Sequence, residues 1–183
     1  MSVADDTRIL NAMFHRTVVL PLESVDGKME VVLTEKNAPD SKVRIRALPE
    51  DSVVVKIGAF PDTRNFFESG HNLNHRADYM IVCPSDKTVV YVELKRGHDK
   101  RSEIVAQLRG AACTGGFIRE IGAVHFAQGD FLRDYRKIFV GFSHATVNKT
   151  VTGRPEMNGS GATPEDLRRF NFANRCQFNK LVA

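Results

Sequence analysis

Three residues of this sequence have side chains whose types and spacing could do chemistry together: Asp78, Glu93 and Lys95. Asp78 comes directly before the apolar run YMIVC, whereas Glu93 and Lys95 lie at the end of the next apolar run, TVVYVELK. The oxygen atoms of two carboxylates suit a hard divalent cation. An ammonium group beside them would offset negative charge or exchange a proton. These roles require that the chain brings the three side chains together.

A β-hairpin would bring them together, and its register follows from the length of its loop. If residues 84–87 (PSDK) form the loop, Cys83 faces Thr88 and Asp78 faces Glu93. The lysine two positions beyond Glu93 then shares their face, because alternate residues of a strand point the same way. A register shifted by two residues keeps this arrangement, whereas a shift of one residue destroys it.

Two carboxylates that face each other across a hairpin repel one another. Their Cβ atoms are only about 4.5–5.5 Å apart, which is unfavourable unless a cation lies between them or one is protonated. A hard divalent cation held by the carboxylate oxygens would remove the conflict. A purely structural interpretation stays open, since Glu and Lys two apart on a strand often form a solvated face and Asp often begins a turn.

Apolar periodicity predicts the elements around this hairpin. Residues 5–16 and 102–121 have helical spacing, and Gly115-Gly116 is expected to end or bend the second helix. The pair Thr163-Pro164 predicts the start of a C-terminal helix over 165–178. Strands are predicted within the runs VVLPL, MEVVLTE, KVRIRAL, SVVVKIG and KIFVGF, in addition to the two strands of the hairpin.

Length and composition place the chain among globular domains. It has 183 residues, of which 42% are hydrophobic and 26% charged, and this favours a single domain with a sizeable core. We divide it into an N-terminal helix and strand-rich segment (1–60), a core (61–145), and a flexible loop with a C-terminal helix (146–183). The sequence has no apolar run long enough to cross a membrane, and its acidic start lacks the basic flank of a signal peptide. We therefore expect a cytoplasmic protein without membrane contact.

Cysteine content and charge add two further expectations. The three cysteines, Cys83, Cys113 and Cys176, are too scattered for a disulfide framework or a metal site and are expected to be buried. Residues 1–70 carry 9 basic and 11 acidic side chains, whereas residues 71–183 carry 17 and 11. The basic excess lies in the half that contains the hairpin, which suits a polyanionic partner.

An Asp before a strand, a turn, a second apolar strand ending in Glu-x-Lys, and then a helix with a Gln resemble the PD-(D/E)xK nuclease superfamily. In this resemblance Asp78 matches the first acid of the motif, Glu93 the second acid and Lys95 its lysine. Gln107, within EIVAQLRGA, matches the glutamine that many members carry on the following helix. The resemblance covers about a third of the chain and implies a mixed α/β fold. The implied fold is a restriction-endonuclease-like core with a central mixed sheet flanked by helices, here with an N-terminal strand-rich extension.

The sequence departs from the superfamily pattern at three points. Ala77 stands in place of the proline of the motif, and Ala111 in place of a tyrosine that often follows the glutamine. An additional acid, which many members supply from upstream, has no clear match. Glu68 is the first candidate because only a short polar loop separates it from Asp78, and Asp62 is the second.

The resemblance also implies a mechanism. Mg²⁺ or Mn²⁺ would be held by Asp78, Glu93 and the backbone carbonyl of Leu94, and would activate a water for attack on a phosphodiester. Lys95 would orient that water and offset phosphate charge, and Gln107 would hold the lysine or the water by a hydrogen bond. A polar position at the edge of the buried helix face explains Gln107 equally well.

A basic rim would hold the phosphate backbone. Its candidate members flank the two acids in sequence and are Arg76, Arg96, Lys100, Arg101 and His75. Phe66 and Phe67 would suit stacking on unpaired bases, but adjacent phenylalanines are more often buried, so we expect them in the core.

The sequence therefore predicts an enzyme, a metal-dependent nuclease, with a DNA endonuclease as first choice and RNA as an open alternative. A homodimer or a larger complex would suit cleavage of both strands. The competing hypothesis is a non-catalytic module that keeps the fold to bind nucleic acid or protein.

Overall fold

The computed structural model describes residues 3–35, 38–64, 66–68, 71–96, 100–143, 157–171 and 174–183. In these ranges the helices are α1 (Val3–Met13), α2 (Arg101–His125) and α3 (Phe178–Val182), with a short 3₁₀ turn at Ile57–Ala59. The strands are β1 (Val19–Leu20), β2 (Glu23–Val25), β3 (Lys28–Glu35), β4 (Ala38–Leu48), β5 (Val53–Val55), β6 (Tyr79–Cys83), β7 (Thr88–Lys95), β8 (Arg136–Ser143), β9 (Met157–Asn158), β10 (Arg168–Asn171) and β11 (Arg175–Gln177). None of the helices in this part of the chain is both long enough and apolar enough to cross a bilayer.

The strands form two mixed sheets that pack face to face. The larger sheet has seven strands in the order β1-β5-β6-β7-β8-β10-β9, and the smaller has four in the order β11-β4-β3-β2. Within the larger sheet β5, β6 and β7 are antiparallel neighbours, and β8 runs parallel to β7. The predicted mixed α/β class is therefore confirmed.

The larger sheet is the middle layer of the molecule, and each of its faces covers one part of the core. Ile81 and Val90 face the smaller sheet, where β3 and β4 contribute residues such as Leu33 and Ile45. Side chains on the opposite face pack against α1 and α2. Burial on both faces explains why β6 and β7 are nearly continuous apolar runs. The N-terminal strands thus cover one face of the central sheet.

The predicted hairpin is correct in loop and register. Cys83 pairs with Thr88 and Tyr79 with Val92, so residues 84–87 form the loop. Lys87, the last residue of this loop, has a left-handed backbone conformation with a φ of 45°. The carboxylate of Asp51 also fixes the loop by accepting hydrogen bonds from Ser85.

Helix α2 is longer than predicted and runs through its two central glycines. A Cβ atom at Gly115 would lie only 1.9 Å from Tyr91 Oη, so this glycine allows the helix to pack closely on β7. The expectation that Gly115-Gly116 ends the helix was wrong, because the helix continues to His125 and Gly115 serves this packing, whereas a bend at these glycines stays a prediction. Ile104, Leu108 and Ala111 are buried as predicted.

The predicted C-terminal helix over 165–178 is wrong. Residues 168–171 form β10, which pairs in parallel with β8, and residues 175–177 form β11, which pairs with β4. The backbone amide of Asp166 does donate to Thr163 Oγ1, as in a helix cap, but the chain continues as a strand. Pairing with two sheets outweighs the local helical signal. The first part of the predicted loop, residues 146–156, lies outside the described residues.

The cysteine expectation is confirmed at two positions. Cys83 and Cys176 are buried, whereas Cys113 is exposed on α2.

Candidate active site

Asp78 and Glu93 lie together at the edge of the central sheet where β6 begins and β7 ends. The backbone amide of Asp78 donates to Glu93 Oε2 at 3.2 Å, and the amide of Leu94 donates to Asp78 Oδ2 at 3.0 Å. Lys95 Nζ lies 3.0 Å from Glu93 Oε1. The three predicted side chains therefore converge, because the hairpin register puts them on one face of the strands.

Burial and mutual repulsion dominate the electrostatics of the two acids. Burial, followed by the charge of Asp78, raises the pKa of Glu93 to about 8, although Lys95 acts in the opposite direction. Burial likewise raises the pKa of Asp78 to about 6, against the opposing effects of the Leu94 amide and Lys95. One lysine does not compensate the buried carboxylate of Glu93 together with the half-buried carboxylate of Asp78.

Glu35, at the end of β3, is a functional candidate that sequence reasoning missed. Its negative charge contributes to the raised pKa of Asp78. Its Oε2 atom is buried and has no hydrogen-bond partner within the described part of the chain. Tyr79 links β6 to β3, since its hydroxyl donates to the carbonyl of Thr34 at 2.6 Å and accepts from the Thr34 amide. An acid after an apolar run was the available signal, but only the packing of the two sheets brings it near Asp78.

This donor set suits a hard divalent cation. Carboxylate oxygens are the ligands that Mg²⁺ and Mn²⁺ prefer. The orphaned oxygen of Glu35 and the raised pKa values of Asp78 and Glu93 show an excess of negative charge that a cation would relieve. Among the described residues, however, no three histidines, cysteines or acids are arranged as a complete ligand cluster.

Gln107 lies on α2, the helix that covers the same face of the sheet. Ile104, one turn earlier, packs over Gly141, which is the β8 partner of Glu93. The side-chain Oε1 of Gln107 is buried and accepts no hydrogen bond from the described residues. An unused acceptor on this helix is available to an ammonium group or a water molecule.

The two predicted upstream acids lie in the loop that precedes β6. Glu68 is exposed and lines an open cleft of about 740 Å³. Asp62 accepts hydrogen bonds from the Arg64 backbone amide and guanidinium, and these hold the pKa of Asp62 below its usual range. Neither residue contributes to the raised pKa of Asp78 as Glu35 does. The role predicted for Glu68 stays a prediction.

The predicted basic rim divides into exposed and engaged residues. Arg96, Lys100 and His75 are exposed. The guanidinium of Arg76 donates to the Pro61 carbonyl at 2.9 Å and lies over the ring of Phe60, 5.2 Å from its centroid. Arg101 donates to the carbonyl of Glu165 at 2.6 Å. Arg76 and Arg101 therefore have structural partners in addition to any contact with a ligand.

Two residues of this rim, Arg76 and His75, line the large cleft. Gly58 lines it as well, and its backbone amide donates to the Asp78 carbonyl at 3.0 Å. Asp78 itself is not among the lining residues of the cleft, but this backbone hydrogen bond links it to the cleft wall.

Comparison with protein-family models, with curated proteins and with solved structures found no match for this chain. We therefore infer its function from the residues of the site.

Proposed function

We propose that the protein is a metal-dependent nuclease that hydrolyses phosphodiester bonds, with DNA as the first-choice substrate. The observation that carries the proposal is the convergence of a buried carboxylate, Glu93, with the half-buried carboxylate of Asp78 and with Lys95 Nζ, which lies 3.0 Å from Glu93. This trio has the residue types and order of the PD-(D/E)xK motif. A structural ion cluster has no need of two mutually repelling acids beside a single lysine.

The order of elements supports a restriction-endonuclease-like core. Antiparallel β6 and β7 are followed by α2 and then by β8, which lies parallel to β7. This is the strand, strand, helix, strand order that accompanies the motif in the superfamily. The helix returns across the face of the sheet that carries the three polar side chains.

Asp78, Glu93 and the Leu94 carbonyl would hold Mg²⁺ or Mn²⁺. When bound, such an ion lowers the pKa of a coordinated water and stabilises charge on the phosphate and leaving oxygen. The two carboxylates must then be ionised, and loss of the Glu93 proton restores full attraction for Lys95.

Lys95 and Gln107 would orient the attacking water. Lys95 is held beside Glu93, so its ammonium group is restrained near the site and can offset phosphate charge. The free acceptor of Gln107 would receive a hydrogen bond from Lys95 or from the water. Glu35 would add a third negative group that strengthens cation binding.

The basic residues that flank the site would bind the phosphate backbone. Arg96 directly follows β7, Lys100 directly precedes α2, and both are exposed, whereas Arg76 and His75 line the large cleft. Contacts of this kind bind without reading sequence.

Cleavage assays with matched variants test the proposal. Supercoiled plasmid, linear duplex, single-stranded DNA and RNA are incubated with Mg²⁺, Mn²⁺ or EDTA, using wild type, Glu93→Gln and Lys95→Met. Lys137→Met is the control, because Lys137 is an exposed lysine on β8 away from the motif. We expect metal-dependent cutting that falls by about 10²- to 10³-fold in both site variants and is unchanged in the control.

The opposite result would favour the binding module. Wild type that neither cuts nor gains thermal stability with either metal, while remaining folded, would overturn the nuclease proposal. Equal cutting by wild type and both site variants would show that any activity resides elsewhere.

A further inference from the structure

The loop before β6 is a built structure whose base lies at the proposed active site. Of this loop the structure describes residues 59–64, 66–68 and 71–77. Gly58 N–H donates to the Asp78 carbonyl at 3.0 Å, which closes the loop at its base. Higher up, Thr63 Oγ1 donates to Asn74 Oδ1 at 2.8 Å. The two ends of the loop therefore meet beside Asp78.

Helix α2 supports the same loop from one side. A Cβ atom at Gly110 would lie 1.7 Å from the carbonyl oxygen of His75, so only glycine permits this close approach. Gly110 lies one helical turn beyond Gln107. The helix that covers the proposed site therefore also forms a wall for the loop.

The loop exposes aromatic rings that the sequence led us to expect in the core. Phe66 is 83% exposed and Phe67 is 42% exposed, and their rings meet edge to face with centroids 4.9 Å apart. Phe60 makes a similar contact with Phe117, which projects from α2 and is 52% exposed. Clustered, exposed aromatic surface of this kind marks a binding site more often than a free surface.

The rings of Phe60, Phe67 and Phe117 border an apolar groove of about 470 Å³ between the loop and α2. The volume lies in the usual range for ligand sites, roughly 300–1,000 Å³. Its walls combine aromatic or aliphatic side chains with two arginines: Phe60, Phe67, Leu73, Phe117, Arg76 and Arg109. No acid belongs to this lining among the described residues, although Arg109 is paired with Glu165 at 2.7 Å outside it.

Apolar rings beside guanidinium groups match the chemistry of a nucleotide with an unpaired base. Every base has a flat π-face that stacks on aromatic side chains, while its phosphate is anionic and pairs with arginine. Bases inside a duplex are already stacked and cannot enter such a groove. The occupant that fits both features is single-stranded nucleic acid.

We propose that this groove, together with Phe66, whose ring contacts that of Phe67, is a stacking platform for unpaired bases that selects single-stranded segments for the proposed active site. The inference rests on the proposed function for the chemistry at Asp78 and adds the substrate class. Nucleic acid with a single-stranded flap, gap or loop would bind more tightly than an uninterrupted duplex.

Binding measured without cleavage tests the platform by itself. Fluorescence anisotropy in EDTA compares oligo-dT, oligo-rU, an abasic strand of the same length and a duplex. The variants are Phe66→Ala, Phe67→Ala and Phe117→Ala, with Phe67→Trp as a conservative rescue. Val124→Ala is the matched control, since Val124 is a 64% exposed apolar residue on α2 outside the groove.

We expect base-bearing strands to bind more tightly than the abasic strand and the duplex. Each phenylalanine-to-alanine change should weaken binding of base-bearing strands by about 5- to 150-fold, with no change for the abasic strand. Phe67→Trp and Val124→Ala should bind as wild type does. A difference between oligo-dT and oligo-rU would identify the polymer.

Two results would overturn the platform. One is equal affinity for base-bearing and abasic strands, and the other is an equal loss for both in the phenylalanine variants. Either result with metal-dependent cutting intact would leave the proposed function in place. Base-dependent binding by a protein that neither cuts nor gains thermal stability with Mg²⁺ or Mn²⁺ would support the platform and reject the nuclease. A homodimer that dissociates in Phe117→Ala would show that a second copy occupies the groove and would also overturn the proposal.

Discussion

Glu30 and Glu93 are equally buried glutamates, each 2% exposed, in two different sheets. Glu30, on β3, lies between two arginines of β4. Arg44 Nη1 is 3.3 Å from Glu30 Oε1, and Arg46 Nε is 3.1 Å from Glu30 Oε2. The second contact is an ion pair by distance, but its geometry is not that of a hydrogen bond. Glu93 has one lysine and faces the carboxylate of Asp78.

The difference shows how a buried charge can be either structural or poised for a ligand. Glu30 is paired with both Arg44 and Arg46, the second of which also lies 3.6 Å from the exposed Asp26, so the charge of Glu30 is compensated without a ligand from solution. Around Glu93 two acids face one ammonium group, and the pKa of Glu93 rises to about 8 because of burial and of Asp78. The second arrangement is complete only with an added cation or proton.

The difference between Glu93 and Glu30 is tested most directly by adding metal to matched variants. Saturating Mg²⁺ or Mn²⁺, about 100 times the Kd, should stabilise wild type by about 2.7 kcal/mol, or roughly 5–10 °C in Tm. Glu93→Gln should lose this gain because a carboxylate ligand is removed, whereas Glu30→Gln should keep it. Thermal unfolding with and without metal measures both. Equal gains in the two variants would contradict the assignment of the cation to Glu93.

Stability without metal should show the reverse order. Glu30→Gln should lower the free energy of unfolding by about 1–3 kcal/mol, since it leaves two arginines without their buried partner. Glu93→Gln should leave that free energy unchanged or raise it, because it removes repulsion with Asp78. Urea unfolding of both variants measures the difference, with Glu120→Gln, at an exposed position on α2, as control. A larger loss in Glu93→Gln would mean that its pairing with Lys95 outweighs the repulsion.

Glu35 extends the comparison to a third acid. If its charge helps to hold the cation, Glu35→Gln should reduce metal-dependent cutting by about 10- to 100-fold, as loss of a supporting group at a metal site does. Raising the metal concentration should recover part of the activity. Cleavage rates are measured over a range of metal concentrations for wild type, for Glu35→Gln and for the control Glu23→Gln, which should cut as wild type does. Unchanged activity in Glu35→Gln would exclude it from the site.

Because the pKa values of the Asp78 and Glu93 carboxyl groups are raised in the folded state, the stability of the metal-free protein should decrease as pH rises. Glu93 titrates near 4.5 when unfolded and about 8 when folded, and Asp78 moves from 3.8 to about 6. Between these values the folded state holds protons that the unfolded state has lost, so metal-free stability should fall as pH rises from about 4 to 8. The slope contributed by one proton is at most about 1.4 kcal/mol per pH unit.

Urea unfolding at several pH values measures this slope. Glu93→Gln should flatten the upper part of the decline, whereas Glu30→Gln should leave its shape unchanged. Stability of the metal-free wild type that rises over the same pH range would contradict the electrostatic account of the site.

The sequence alone was sufficient to predict that the side chains of Asp78, Glu93 and Lys95 converge. Their convergence depends on the length of one four-residue loop and on the alternation of side chains along two strands, and both are local properties. The same locality explains why the buried face of α2 was predicted well. Apolar spacing within one helix does not depend on what the rest of the chain does.

Tertiary structure decided everything that requires distant segments to meet. Glu35 approaches Asp78 only because the N-terminal strands fold over the central sheet, and β10 forms only because β8 offers an edge with which residues 168–171 can pair. Phenylalanine is usually a core residue, yet Phe66 and Phe67 lie on the loop that the hydrogen bond between Gly58 and Asp78 closes, and this loop leaves them exposed. Local propensity is worth only tenths of a kcal/mol to about 1 kcal/mol per residue, so sheet pairing and packing overrule it where they compete.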